Sequence, residues 1–124
     1  MKADYRKHLG AQGEDAAAKH LIKQGCTILE RNYRIRSGEV DIIAKEADTL
    51  VFVEVKTRRS GRFGTPAEAV NEKKRRRICA AALQYVSENA AGDMPARFDV
   101  VEVYAGNGGF RVRHITDAFM FEAT

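Results

Sequence analysis

Gly38-Glu39-Val40-Asp41-Ile42-Ile43-Ala44-Lys45-Glu46-Ala47-Asp48-Thr49-Leu50-Val51-Phe52-Val53-Glu54-Val55-Lys56-Thr57-Arg58 decides the reading of the whole chain. The β-branched and aromatic runs in it predict two strands, Glu39 to Lys45 and Leu50 to Arg58. A connection this short joins neighbours as an antiparallel hairpin. Within the second strand Leu50, Phe52, Glu54 and Lys56 share one face, and Val51, Val53 and Val55 share the other. Apolar residues on both faces mark a central, buried strand. Placing Lys45 opposite Leu50 puts Asp41 opposite Glu54 and Glu39 opposite Lys56, a register that a slip of one residue would destroy.

That pairing has an electrostatic cost. Opposed side chains have Cβ atoms about 4.5–5.5 Å apart. Two carboxylates about 5 Å apart repel by roughly 3 kcal/mol at an effective dielectric of 20. Either one carboxyl is protonated or a cation sits between them. Oxygen donors select a hard cation, Mg²⁺ or Mn²⁺, and two carboxylates with several waters are a common way to hold Mg²⁺. Lys56 lies one pair further along the same face. A metal with an adjacent ammonium suits attack of water on a phosphodiester. Glu39 is either a supporting group or the partner of Lys56 in an ordinary cross-strand ion pair.

Outward from this hairpin the elements follow in order. Tyr5 to Gln24 predicts a helix stopped by Gly25, with Glu14, Ala17, Ala18 and Leu21 on one face. Glu14 is either a further metal ligand, if that small face packs on the sheet, or an edge residue pointing to water. Cys26 to Tyr33 predicts the first strand. Thr65-Pro66-Ala67-Glu68 has the form of a capping box, predicting a helix from Pro66 to about Glu88. Its inner side is marked by Val70, Ile78, Ala81 or Ala82, and Tyr85, and is interrupted by Lys74 and Arg77. Arg97 to Tyr104 and Phe110 to Ile115 predict two more strands joined by a turn at Gly106-Asn107-Gly108-Gly109, and Thr116 would cap a last short helix through Phe121. The order is α-β-β-β-α-β-β-α, one α/β domain spanning 1–124 with helices packed on a mixed central sheet.

Composition excludes several classes. With 44% hydrophobic and 31% charged residues, the 124-residue chain reads as globular and long enough to bury its own core. The charged start at Met1 to His8 lacks the apolar stretch of a secretory signal, and no apolar run approaches the roughly 20 residues of a membrane helix. Cys26 and Cys79 form no CxxC and read as small buried hydrophobes; His8, His20 and His114 show no metal spacing. A cytoplasmic protein with no membrane partner is expected.

The net charge of +4 hides an asymmetry. Lys56, Arg58, Arg59, Arg62, Lys73, Lys74, Arg75, Arg76 and Arg77 face only Glu68 and Glu72 between Lys56 and Arg77. Such a block attracts polyanions by displacing condensed counterions from phosphates, although a solvated helix face has the same composition. Arg58 to Thr65 reads either as a clamp on nucleic acid or as an ordinary surface connection.

Gly38-Glu39-Val40-Asp41 followed by Val53-Glu54-Val55-Lys56-Thr57-Arg58 resembles the Asp…Glu-x-Lys signature of PD-(D/E)XK nucleases. More closely, the chain resembles the YraN family of bacterial endonuclease-like proteins, which is similar to archaeal Holliday-junction resolvases. The matching segments are Gly10-Ala11-Gln12-Gly13-Glu14-Asp15-Ala16-Ala17, Arg31-Asn32-Tyr33, Leu50 to Arg58, Phe63-Gly64-Thr65-Pro66, Lys73, and Arg97-Phe98-Asp99-Val100-Val101. The resemblance implies a restriction-endonuclease-like αβββαβ core, Asp41 and Glu54 as metal ligands, Lys56 as the catalytic lysine, and Glu14 as the acidic residue of the first helix. Two functions are therefore expected to compete: a Mg²⁺- or Mn²⁺-dependent endonuclease acting on branched or single-stranded DNA, and a module on a nuclease fold that binds nucleic acid or a partner without cutting. A homodimer would suit a junction-cutting enzyme, and no sequence feature requires one.

Overall fold

The computed structural model describes residues 2–59, 70–106 and 108–121, with side chains described for 8–58, 70–106 and 108–121. In chain order the elements are α1 (Lys2–Lys23), β1 (Thr27–Ile35), β2 (Gly38–Glu46), β3 (Thr49–Arg59), α2 (Glu72–Glu88), β4 (Ala96–Gly106) and β5 (Gly109–Phe119). The five strands form one sheet in the order β1-β2-β3-β4-β5, parallel between β3 and β4 and antiparallel elsewhere. An α/β architecture with a mixed central sheet flanked by helices is thus observed, as expected. Among the described residues, no helix is long and apolar enough to cross a membrane.

Each face of the sheet buries its own core. On one side Ala17, Ala18 and Leu21 of α1 pack on Ile42, Ala44, Val51, Val53, Val101 and Val103. On the other, Ile78, Cys79, Ala81, Ala82 and Tyr85 of α2 pack on Val40, Ile43, Leu50, Phe52, Phe98 and Val100. The central strand β3 therefore points even-numbered residues at α2 and odd-numbered ones at α1, the alternation read from sequence. Both cysteines are free and buried.

Helix α1 ends as its sequence dictates. Gly25 adopts φ +96°, its N–H bonds to Ile22 O at 3.0 Å, and the Cys26 N–H bonds to Leu21 O at 3.0 Å. This double bond satisfies the last carbonyls and turns the chain into β1. Helix α2 begins later than expected: Asn71 is its N-cap, with Oδ1 accepting the Lys74 N–H at 2.9 Å. Val70 and Asn71 are not helical, so no continuous helix runs from Pro66, and the capping box at 65–68 lies outside the described residues. Asparagine outranks most residues as a cap, and its signal was overshadowed by Thr65-Pro66.

The expected helix from Thr116 does not form; β5 continues to Phe119. The reason is Asp99, fully buried in β4. Its carboxylate accepts from Arg97 Nε at 3.1 Å, from the Asp117 N–H at 2.9 Å, and pairs with His114 Nε2 at 2.8 Å. Burial alone would raise the Asp99 pKa, but His114, Arg97 and the Asp117 N–H outweigh it and hold the pKa below the usual aspartate value. Asp117 takes φ +56° as the strand bulges around this anchor, and Phe119 returns to stack on Phe98 with ring centroids 4.9 Å apart. Such a long-range anchor is invisible to local pattern.

Two glycines measure how closely the layers approach. A Cβ built on Gly38 would lie 1.9 Å from the backbone oxygen of Arg77, whereas one on Gly10 meets nothing within 4 Å. Gly38→Ala should lower the unfolding free energy by about 1–3 kcal/mol, because a backbone carbonyl cannot swing aside. Gly10→Ala in the open interior of α1 should raise it by about 0.5–1 kcal/mol. Urea denaturation followed by circular dichroism checks both signs, and equal effects would contradict this packing.

Candidate active site

The β2–β3 register is the expected one, Lys45 opposite Leu50, but the ladder ends at Ile42 opposite Val53. The cause lies in β2. Val40 packs against the α2 side and Ile42 against the α1 side, although residues two apart in a regular strand share a face. The alternation reverses across Asp41. On β1 the same reversal occurs at Asn32: Arg31 pairs with Ile42 and Tyr33 with Val40, leaving Asn32 and Asp41 facing each other out of the ladder. Asn32 adopts φ +54°, a left-handed conformation that asparagine tolerates better than most residues. In place of a ladder bond, the Val55 N–H donates to Asp41 Oδ2 at 2.8 Å.

Two carboxyl groups meet at this break. Glu54 is only 3% exposed, and the Asp41 carboxyl lies within hydrogen-bonding reach of it. Burial, then the hydrogen bond and charge of Glu54, push the Asp41 pKa well above the ordinary carboxylate range; the Val55 N–H and Lys74 counter only part of this. Glu54 Oε2 lies 2.9 Å from Lys74 Nζ and 3.8 Å from Lys56 Nζ. Burial lowers the Lys56 pKa, with Lys74 adding to the effect and Glu54 opposing it. For Lys74 burial acts in the same direction, but the hydrogen bond and charge of Glu54 outweigh it and the pKa rises. Of the two remedies expected for a carboxylate pair, the raised Asp41 pKa corresponds to the first, while Lys74 stands beside Glu54 rather than between the two acids.

Glu14 approaches from α1, where Gly13 lets the helix sit against Thr57; a Cβ on Gly13 would be 1.9 Å from Thr57 Oγ1. Burial and the charge of Asp41 raise the Glu14 pKa, while a hydrogen bond from Asn32 and the charge of Arg31 lower it. Arg31 Nη2 stands 3.8 Å from Glu14 and 2.9 Å from Asp15. Glu14, Asp41 and Glu54 thus form a row rather than a closed cluster. Among the described residues no three His, Cys, Asp or Glu side chains gather as a metal-binding group. Asp41 and Glu54 are the oxygen donors placed to hold a hard cation, with Glu14 next in line.

The remaining candidates divide. Glu39 does not pair with Lys56, because the ladder has ended; it faces Arg34 at 3.5 Å across β1. Arg58 Nε lies 3.4 Å from Glu102, a fully buried acid opposite Lys56 in the β3–β4 register. Arg113 Nε stands 4.0 Å from the same carboxylate. Lys73, Arg76 and Arg77 are exposed on α2, Arg76 pairs with Glu72, and Arg75 donates to Val70 O at 3.1 Å. Lys74 leaves this surface group and reaches Glu54. The side chain of Arg59 and residues 60–65, Arg62 among them, lie outside the described residues, and with them most of the connection expected from Arg58 to Thr65. Sequence reasoning assigned no chemistry to Asn32, Arg31 or Glu102. The signals were an asparagine inside a strand, and an acid in the otherwise apolar run Val100 to Val103.

Fold and site define a mixed α/β protein of restriction-endonuclease-like architecture, with two acids and two lysines at the end of a broken ladder. The chain belongs to the uncharacterised protein family UPF0102, whose sequence profile matches residues 13–103. It is 51% identical over 112 residues to a UPF0102 protein of Rhodococcus opacus, covering 90% of this chain and 95% of that one. A UPF0102 protein of Clostridioides difficile is 46% identical over 113 residues, covering 91% and 97%. Among solved structures, Pyrococcus furiosus SfsA in complex with Ca²⁺ is similar at a TM-score of 0.42 and 14% identity, over 90% of this chain and 63% of that one. That likeness is slight.

The raised Asp41 pKa has a consequence for stability. An acid whose folded pKa exceeds its unfolded one gives up its proton on unfolding, so stability falls as pH rises from the ordinary aspartate value through the raised one. Asp41→Asn removes this loss. Without added metal, its melting temperature should gain on wild type between about pH 4 and pH 8, by roughly 3 °C or more. A gap that stays flat across that range, by calorimetry, would contradict the assignment.

Proposed function

We propose that the protein is a divalent-metal-dependent endonuclease that hydrolyses phosphodiester bonds in DNA, on branched or single-stranded substrates. The observation that carries this reading is the meeting of Asp41 and Glu54 beside Lys56 at the break in the β2–β3 ladder. Their chemistry fits a hard cation: paired, largely desolvated carboxyl oxygens whose mutual repulsion an ion would relieve. Asp41 and Glu54 would hold Mg²⁺ or Mn²⁺, with Glu14 in support. Bound there, the ion would acidify water and neutralise charge developing on the phosphate.

The chain's own residues do the rest. Lys56 is fixed at the edge of this pair and presents an ammonium to a phosphate oxygen, where charge grows during attack. Glu102 lies opposite Lys56 in the β3–β4 register, with Arg58 Nε 3.4 Å from its carboxylate. The exposed cations Lys73, Arg76 and Arg77, with Arg58, Arg59, Arg62, Lys74 and Arg75, supply the positive field for a phosphate backbone. Lysines and arginines on phosphates position a strand without reading its sequence. One observation favours the second reading, a binding module without hydrolysis: Lys74 Nζ lies 2.9 Å from Glu54 Oε2, so the chain itself supplies this carboxylate with a counter-charge.

Cleavage of labelled four-way junction, flap and single-stranded DNA in Mg²⁺ or Mn²⁺ separates the two. Wild type should cut at least one of them. Lys56→Ala, with unchanged circular dichroism, should lose about 100-fold or more in turnover. Unchanged turnover in that variant would remove Lys56 from the reaction. Salt-sensitive DNA binding with no metal-dependent cleavage by wild type would leave the binding module as the function.

A further inference from the structure

Lys74 is rooted where its side chain can serve two positions. Its backbone N–H is held by the Asn71 cap at 2.9 Å, so the first turn of α2 fixes its Cα. Its four-carbon stem bridges from there to Glu54, where Nζ lies 2.9 Å from Oε2. The side chain remains 38% exposed, against 3% for Glu54. The ammonium therefore closes the buried carboxylate on its solvent side while keeping an open path back to water. Lys56 already stands 3.8 Å from the same oxygen, so two ammonium groups share one carboxylate. At this centre two positive charges stand against the one negative charge of Glu54. A divalent ion entering such a centre meets repulsion unless a cation leaves or an anion arrives.

We propose that Lys74 is a resident counter-cation that a divalent ion must displace from Glu54, and that a nucleic-acid phosphate favours the exchange by receiving the displaced ammonium. This rests on the reading that Asp41 and Glu54 hold a metal, and adds to it a condition for loading. Metal and nucleic acid then bind cooperatively, and because linkage is reciprocal each tightens the other. The ion is taken up chiefly in the presence of substrate. Lys56, set deeper on β3 and 27% exposed, stays beside Glu54 throughout.

Isothermal titration of Mn²⁺ into the full chain tests this, using Lys74→Gln, Lys74→Arg and Lys73→Gln. Lys73 is the exposed neighbour of Lys74, so its variant carries the same change in net charge without touching Glu54. Without DNA, Lys74→Gln should bind Mn²⁺ between about 5- and 150-fold more tightly than wild type, the usual span of a coupling between sites. Lys74→Arg and Lys73→Gln should stay near wild type. Adding a short single-stranded DNA, with its own Mn²⁺ uptake subtracted, should tighten Mn²⁺ binding to wild type and do so much less in Lys74→Gln. Equal affinities for Lys74→Gln and Lys73→Gln, or an equal effect of DNA on wild type and Lys74→Gln, would overturn the displacement while leaving the metal site intact. If no protein in the set, Lys74→Gln included, bound Mn²⁺ at millimolar concentration with or without DNA, the metal-dependent reading would itself fall.

Discussion

The Val55 N–H donates to the side chain of Asp41 where a regular ladder would offer it a carbonyl of β2, and the other charged groups take their places around that bond. To accept it, Asp41 must turn out of the strand's alternation, and Asn32 must turn with it on β1. The reversal brings Asp41 to the boundary between the two faces of the sheet. There it meets Glu14 from the α1 side and Glu54 from the α2 side. A flat, regular hairpin would have kept Asp41 beside Glu54 on the α2 face, apart from Glu14 on the α1 side. The sheet thus gives up ladder bonds to gather charge, as β-bulges commonly do beside active sites.

Two well-packed cores make this arrangement affordable. Phe52, Phe98 and Val100 on one face, and Val51, Val53 and Val101 on the other, lock β3 and β4 in register just before the charged row begins. An isolated buried charge is costly, and here each is matched: Glu54 by Lys74 and Lys56, Glu102 by Arg58 and Arg113, Asp99 by Arg97 and His114. Gly13 against Thr57 and Gly38 against Arg77 hold α1 and α2 close enough for Glu14 and Lys74 to reach the break.

Much of this was legible in the chain, for identifiable reasons. The order of the strands, the hairpin register and the alternation of β3 follow from side-chain period and a short connection, which act locally. The meeting of Asp41 with Glu54 followed from that register, although the ladder stops one pair short of them. The start of α2 and the end of β5 were misread because both depend on particular bonds: the Asn71 cap, and the Asp117 N–H held by Asp99 from another strand. Lys74 was visible as an interruption in an apolar stripe and as one member of the basic block, not as a partner of Glu54. Its proximity to Glu54 depends on where α2 crosses the sheet, which no spacing reports. Glu39 was placed beside Lys56 by a register that the kink at Asp41 ends.

The acids gathered at this kink are proposed to hold a divalent ion. Electron paramagnetic resonance of Mn²⁺ with wild type, Asp41→Asn and Glu54→Gln in the presence of DNA addresses this without any assumption about which DNA structure is cut. A protein-bound Mn²⁺ signal is expected in wild type and its loss in both variants. Binding by the variants equal to that of wild type would contradict it.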